Sequence, residues 1–196
     1  MLLQDRVKKY RILLASKSPR RRELLKGCGL DFEIAEGREA EESFPADMPL
    51  GEVAEYLSEV KSDAYFDTLD KGDLLITADT VVIAAGEILG KPCDREDAVR
   101  MLRLLSGTTH EVVTGVTLRT KERKKSFSCS SKVRFREVSE EEIAYYIDTY
   151  RPYDKAGAYG IQEWIGYVAI NGIEGSFYNV MGLPVQMLWV ELEKFV

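Results

Sequence analysis

The sequence predicts an α/β protein, with a mixed central sheet and flanking helices. Three observations predict it. Leu74 to Ala85 (LLITADTVVIAA) is the most apolar run, and its β-branched residues read as a central strand. Capped segments of helical period stand on either side of it. Strand and helix patterns mix without strict alternation, which favours a mixed sheet over a purely parallel one. With 196 residues, the chain fits a single domain, 1–196, or one core with two lobes, and can bury a large core without disulfide or metal staples.

Taken in order, Met1 to Lys9 predicts no element. Arg11 to Ser16 (RILLAS) is a short buried strand. Ser18 caps a helix that has Pro19 at its first position, turns Leu24 and Leu25 inward, and stops at Gly27 and Gly29. Asp31 to Ser43 is acidic and poorly periodic. Leu50 to about Phe66 is a helix with Val53, Leu57, Ala64 and Tyr65 on its buried stripe. After the central strand, Ala85-Gly86-Glu87 turns into a second strand that ends at Gly90-Lys91-Pro92. Asp94 caps a helix through Leu105, with Ala98, Met101, Leu102 and Leu105 inward. GTTH, up to His110, reads as a loop. Glu111 to Thr120 and Ser126 to Phe135 form a strand pair joined by the charged turn Lys121 to Lys125. Ser139 with Glu142 makes a capping box for a helix ending near Tyr150. Arg151 to Gln162 is a loop, Trp164 to Ile170 a strand, Asn171-Gly172 a turn and Phe177 to Met181 an extended piece, with Trp164 and Tyr167 as core or rim aromatics. Pro184 opens a C-terminal helix.

Composition excludes several functions. The net charge of -6 argues against a broad nucleic-acid surface. The three cysteines, Cys28, Cys93 and Cys129, form no CxxC pair, which disfavours zinc ribbons and dithiol redox chemistry and suits a reducing compartment. ILLA is too short for a signal h-region or a membrane span, so a soluble cytoplasmic protein is expected. With His110 as the single histidine, two-histidine zinc sites are out, and acid–base work falls to carboxylates or lysines.

Certain residues are costly unless they bind something. At Ser16 to Arg22 a strand gives way to a helix start, where free N–H groups can hold an anion. Arginines in a first turn oppose the helix dipole, and an anionic ligand reverses the sign of that effect. This favours anion binding by Ser16, Arg20 and Arg21, with Arg22 read as a surface residue. Asp79 interrupts the central strand, and a carboxylate there needs a partner or a metal. Alternation puts it on one face with Thr77 and Val81, and Thr80 on the other. Lys61 lies on the apolar stripe of its helix and reads equally as a snorkelling lysine or a functional one. Lys91 is fixed between Gly90 and Pro92. Lys155 precedes a two-glycine loop able to approach a ligand closely. Glu41 and Glu42 lie in an acidic stretch whose default is a solvated face.

Together LASKSPRRRELL, ITADTVV, GKPCD, MLRLLSGTTHEVVTGV, DKAGAYGIQ and MGLPV resemble the ordered motifs of the Maf family of nucleotide pyrophosphatases, from about Ile12 to Val190. The resemblance implies a Maf/ITPase-like fold of two lobes around a cleft, often in a homodimer, and a divalent metal, magnesium or manganese. It implies hydrolysis of a nucleoside triphosphate between its α- and β-phosphates. Asp79 matches the catalytic carboxylate and a metal ligand, and Glu42 a second metal ligand. Ser16, Arg20 and Arg21 match the phosphate-binding motif, and Lys61, Lys91 and Lys155 the cleft lysines. Arg20, Thr80 and Gln162 match positions tied to base preference. AYGIQ resembles the branch acting on dTTP and UTP, with a house-cleaning or division-linked role. The alternatives are the branch preferring 7-methyl-GTP and a non-catalytic, nucleotide-binding regulator of septum formation.

Overall fold

The structure, a computed structural model, describes residues 2–196. In chain order the elements are α1 (Leu3–Val7), β1 (Arg11–Ala15), α2 (Pro19–Gly27), β2 (Glu33–Ile34), α3 (Val53–Asp63), β3 (Asp73–Ala84), β4 (Glu87–Leu89), α4 (Arg95–Leu105), β5 (Thr109–Arg119), β6 (Lys124–Phe135), α5 (Glu140–Tyr150), α6 (Trp164–Ala169), β7 (Ile170–Glu174), α7 (Phe177–Met181) and α8 (Val185–Phe195). The strands form one mixed sheet in the order β2-β1-β3-β5-β6-β7, with β4 paired to β3. β1 runs parallel to β2 and β3, while β4 and β7 are antiparallel to β3 and β6. The chain divides into two compact units. The first holds the residues up to Asp79, Thr114–Cys129 and Gly182–Val196, and the second holds Thr80–Val113 and Ser130–Met181.

In the first unit, Ser18 caps α2, accepting a hydrogen bond from the Arg21 N–H, with Pro19 in the first turn. α3 lies directly on β5. A Cβ on Gly115 would come within 2.2 Å of the Ala54 carbonyl oxygen, so only glycine permits that approach. Buried hydroxyls fasten α3 to β5 and β3 through Ser58. Ser58 donates to the Glu55 carbonyl at 2.7 Å and shares a 2.7 Å hydrogen bond with Thr117, and Thr77 donates to the Ser58 carbonyl at 2.7 Å. α1, which the sequence does not predict, is tied to α8: the Arg6 guanidinium donates to the carbonyls of Glu193 and Val196 at 2.8 and 2.7 Å.

In the second unit, α4 and α5 share a core that includes Leu89, Leu102, Leu105, Phe135, Tyr146 and Ile165. Both caps form as predicted: Asp94 accepts from the Asp97 N–H, and Ser139 and Glu142 make a complete capping box. The β3–β4 turn has φ of 50° at Ala85 and 79° at Gly86, a turn whose twist matches the hairpin.

Several elements differ from what the sequence predicts. Trp164–Ala169 is a helix rather than a strand: Ile165 and Ala169 are its buried pair, four residues apart, and they outweigh the β-propensity of this run. Asn171-Gly172 lies inside β7, where Arg134 Nε bonds Asn171 Oδ1 at 2.9 Å. Phe177–Met181 is helical, not extended. His110 sits within β5, and Lys124 and Lys125 already belong to β6. Tyr167, expected in the core or at its rim, is 82% exposed on α6, whereas Trp164 packs against the core.

Candidate functional site

Six of the residues singled out in the sequence belong to the first unit: Ser16, Arg20, Arg21, Glu42, Lys61 and Asp79. Lys61 is one turn beyond Ser58 on α3, and Asp79 is two residues beyond Thr77 on β3, so the buried Ser58–Thr77 bond sets both backbones. The Lys61 ammonium donates to Asp79 Oδ1 and also lies 3.3 Å from Glu42 Oε1. The Lys61 and Asp79 side chains are only 19% and 14% exposed, while Glu42 is 54% exposed. The charge of Lys61 therefore points at a carboxylate rather than at solvent.

Arg21 is partly buried at the start of α2. Its Nη1 donates to the Ala78 carbonyl at 2.8 Å and its Nε to the Gly182 carbonyl at 2.7 Å. Burial pulls its pKa down, and the nearby charges of Asp79 and Glu42 counter that pull. Arg21 thus ties α2 to the backbone just before Asp79. Ser16 Oγ accepts from the Ser18 N–H at 3.2 Å, shaping the turn into the helix. Arg20 is half-buried in the first turn, and Arg22 is exposed and donates to the Ser16 carbonyl at 3.2 Å.

The second unit holds Thr80, Lys91, Lys155 and Gln162. Thr80 is half-buried on β3. The loop predicted over Arg151 to Gln162 contains a short 3-10 turn, Ala156–Ala158. Gly157 in that turn has φ of 69°, and a Cβ there would meet the Val82 side chain at 3.0 Å. Its N–H donates to the Gly90 carbonyl at 3.0 Å, drawing the Lys155 loop and the Lys91 segment together. Lys91 is exposed, whereas the Lys155 side chain is 9% exposed. The Lys155 ammonium donates to Asp154 Oδ1 at 2.6 Å and pairs with Glu163 Oε1 at 3.1 Å. Gln162 Oε1 is buried and accepts no hydrogen bond among the described residues. Nothing in the sequence marks Glu163 or its partner Tyr146 except that Glu163 follows Gln162.

Each unit carries groups suited to phosphate chemistry. The first offers a helix start with arginines and a carboxylate held by an ammonium. The second offers a lysine-bearing loop with an amide oxygen that has no partner among the described residues. Known proteins agree with the fold and narrow the class. The Staphylococcus aureus Ham1 protein structure superposes with a TM-score of 0.56, covering 95% of this chain and 100% of that one, at 16% sequence identity. That likeness defines the class of fold, a mixed α/β protein of the Ham1 type. The chain belongs to the Maf family: the model described as Maf-like protein matches residues 11–195. Relatives include proteins named dTTP/UTP pyrophosphatase from Bacteroides thetaiotaomicron (56% identical over 186 residues, 95% of this chain and 96% of that one) and Porphyromonas gingivalis (56% over 193 residues, 97% of each). A protein of the same name from Flavobacterium johnsoniae is 44% identical over 195 residues, 100% of each chain.

Proposed function

We propose that this chain is a nucleoside triphosphate pyrophosphatase that hydrolyses dTTP and UTP, and modified pyrimidine triphosphates, to the monophosphate and pyrophosphate. The observation that carries the proposal is the Lys61–Asp79–Glu42 cluster: a half-buried carboxylate on the central strand, held by an ammonium. The full-length relatives named dTTP/UTP pyrophosphatase support the substrate class. In this reading water attacks the α-phosphorus, Asp79 takes its proton, and pyrophosphate leaves. Ser16, Arg20, Arg21 and Lys61 bind phosphate oxygens, as do Lys91 and Lys155, and fixed positive charge stabilises the charge developing on those oxygens. The orphan oxygen of Gln162 suits the N3–H of thymine or uracil, while its amide suits O4. Arg20 and Thr80 complete the set expected to influence base preference.

The expected divalent cation fits the donors present. Asp79 and Glu42 both turn carboxylate oxygens toward one cationic group, the Lys61 ammonium. No cluster of three His, Cys, Asp or Glu stands among the described residues, so protein would supply at most two carboxylates. Magnesium is commonly held in that way, with phosphates and water as its other ligands. When bound, the cation supplies charge neutralisation at the phosphates.

We place the enzyme in the cytoplasm as a homodimer. Among the described residues no helix is long and apolar enough to cross a membrane, and all three cysteines are free thiols. Light scattering of the purified chain tests the dimer. Pyrophosphate release from dTTP, UTP, CTP and 7-methyl-GTP, with magnesium and with EDTA, tests the activity. The expected result is magnesium-dependent release that is fastest with dTTP and UTP. Preference for 7-methyl-GTP overturns the substrate assignment, and no release from any of the four leaves the regulator reading in its place.

A further inference from the structure

Lys155 is held more tightly than an ordinary surface lysine. Besides Asp154, its ammonium pairs with Glu163 Oε1 at 3.1 Å, and the other oxygen of that carboxylate, Oε2, accepts the Tyr146 hydroxyl hydrogen. The same hydroxyl accepts the Gly160 N–H at 3.0 Å. Tyr146 is fully buried on α5 and stacks on Tyr150, with ring centroids 5.2 Å apart. Its helix is fixed at the other end by the Ser139–Glu142 capping box. A rigid element therefore reaches Lys155 through one hydroxyl and one carboxylate.

Gly160 adds an independent observation. A Cβ there would lie 3.0 Å from Glu163 Cδ and 3.1 Å from both Glu163 Oε2 and Lys155 Cε. The bare backbone leaves the space in which the ion pair lies. A buried ion pair gives little net stability compared with apolar side chains of similar volume. Four residues committed to placing one ammonium are better explained by what the ammonium does than by what the pair adds to the fold.

We propose that Tyr146 and Glu163 are positioning residues that fix the Lys155 ammonium for contact with the substrate's phosphates, with Gly160 providing the room. The inference rests on the role given to Lys155 above. Tyr146 stays a donor throughout the working pH range, because burial and the Glu163 carboxylate both push its pKa upward. Glu163 acts by placing Lys155 and does not touch the reacting atoms.

A double-mutant cycle tests the proposal. kcat/KM for dTTP and the thermal midpoint are measured for wild type, Lys155→Ala, Tyr146→Phe, Glu163→Gln and the two doubles with Lys155→Ala. The Lys155→Ala variant loses most activity. Tyr146→Phe and Glu163→Gln each lower kcat/KM about 10- to 100-fold when Lys155 is present, as expected for a misplaced group. In the Lys155→Ala background each changes it less than about twofold, because acting through one group makes the losses non-additive. Any drop in midpoint from Tyr146→Phe persists in both backgrounds, which separates packing from positioning. Glu163→Gln retains an acceptor for the Tyr146 hydroxyl at a half-buried site, so it stays informative should Tyr146→Phe fold poorly. Equal losses in both backgrounds, or no loss in either single variant, overturn the positioning role while leaving Lys155 a substrate contact. Wild-type-like hydrolysis by Lys155→Ala removes the role of Lys155 and this inference with it. A wild type inert toward dTTP refutes the functional reading itself.

Discussion

At the scale of single residues, Asp79 and His110 make contrasting demands. Asp79 was legible in the sequence because a carboxylate inside an apolar run has few inexpensive explanations. Its ammonium partner was not, since Lys61 lies on a separate element and only the fold sets their distance. Asp79→Asn is nearly isosteric, so the fold should survive while pyrophosphate release falls by about 100-fold or more, the usual range for losing a general base. Near-normal turnover would falsify the assignment. His110 was read as part of a loop, yet it is 2% exposed in β5. Its Nε2 meets the Tyr159 hydroxyl at 2.7 Å, its Nδ1 has no partner among the described residues, and Phe135 and Tyr159 pack edge-on against it. Burial lowers its pKa to about 4, so the folded state keeps it neutral while the unfolded chain protonates near 6.5. The unfolded state then binds more protons between those values, and stability falls as pH drops from about 6.5 to about 4, by about 3 kcal/mol in all. Glu142 acts in a lower window. The Arg136 guanidinium, then the Ser139 N–H, hold its pKa at about 2, so its contribution is lost only as pH falls from about 4.5 toward 2. Chemical denaturation of His110→Gln across this range should lose the slope above pH 4.5 and keep the slope below it. An unchanged upper slope would assign that slope to another group.

At the scale of elements, what could be read was what is written locally. Ser18, Asp94 and Ser139 cap their helices as predicted, because a cap needs only residues three positions apart. α6 and α7 were misread because short runs rich in aromatic and β-branched residues carry strand propensity. What makes α6 helical is its packing, with Ile165 and Ala169 buried in the core of the second unit. The seat of α3 on β5 was equally invisible, since Gly115 and Ala54 are distant in the chain. That seat places Lys61 against Asp79. Gly115→Ala should therefore push α3 away, costing about 1–3 kcal/mol as overpacking does. It should also lower activity more than stability loss alone explains. Arg6→Ala is the control, removing the two hydrogen bonds between α1 and α8 for about 1–3 kcal/mol with the Lys61–Asp79 pair untouched. Thermal midpoints should fall in both variants, by about 2–4 °C per kcal/mol at this size. Activity measured well below the midpoints should fall only for Gly115→Ala. Equal activity in the two variants would remove α3 placement as the link.

At the scale of the whole molecule, the chain divides into two compact units. Where the boundaries fall could not be read locally, because neither unit is a continuous piece of chain. The first unit is assembled from three segments and the second from two. The boundary falls inside β3, between Asp79 and Thr80, inside β5 after Val113 and inside β6 after Cys129. Three strands therefore carry covalent and ladder continuity from the residues of one unit to those of the other. A hydrogen-bonded strand cannot melt over half its length without exposing the ladder of the rest, so loss of either unit's core destabilises the other's strands. Calorimetry of the ligand-free chain should accordingly give one transition, with the calorimetric enthalpy equal to the van't Hoff value. Two resolved transitions, or a calorimetric enthalpy well above the van't Hoff value, would mean that the units unfold independently despite their shared strands. The functional consequence can be measured too. If unfolding is cooperative, a bound triphosphate raises the single midpoint by linkage, and ligand contacts confined to one unit protect amides in both from exchange. Protection restricted to one unit would contradict the cooperative reading even if a single heat peak were seen.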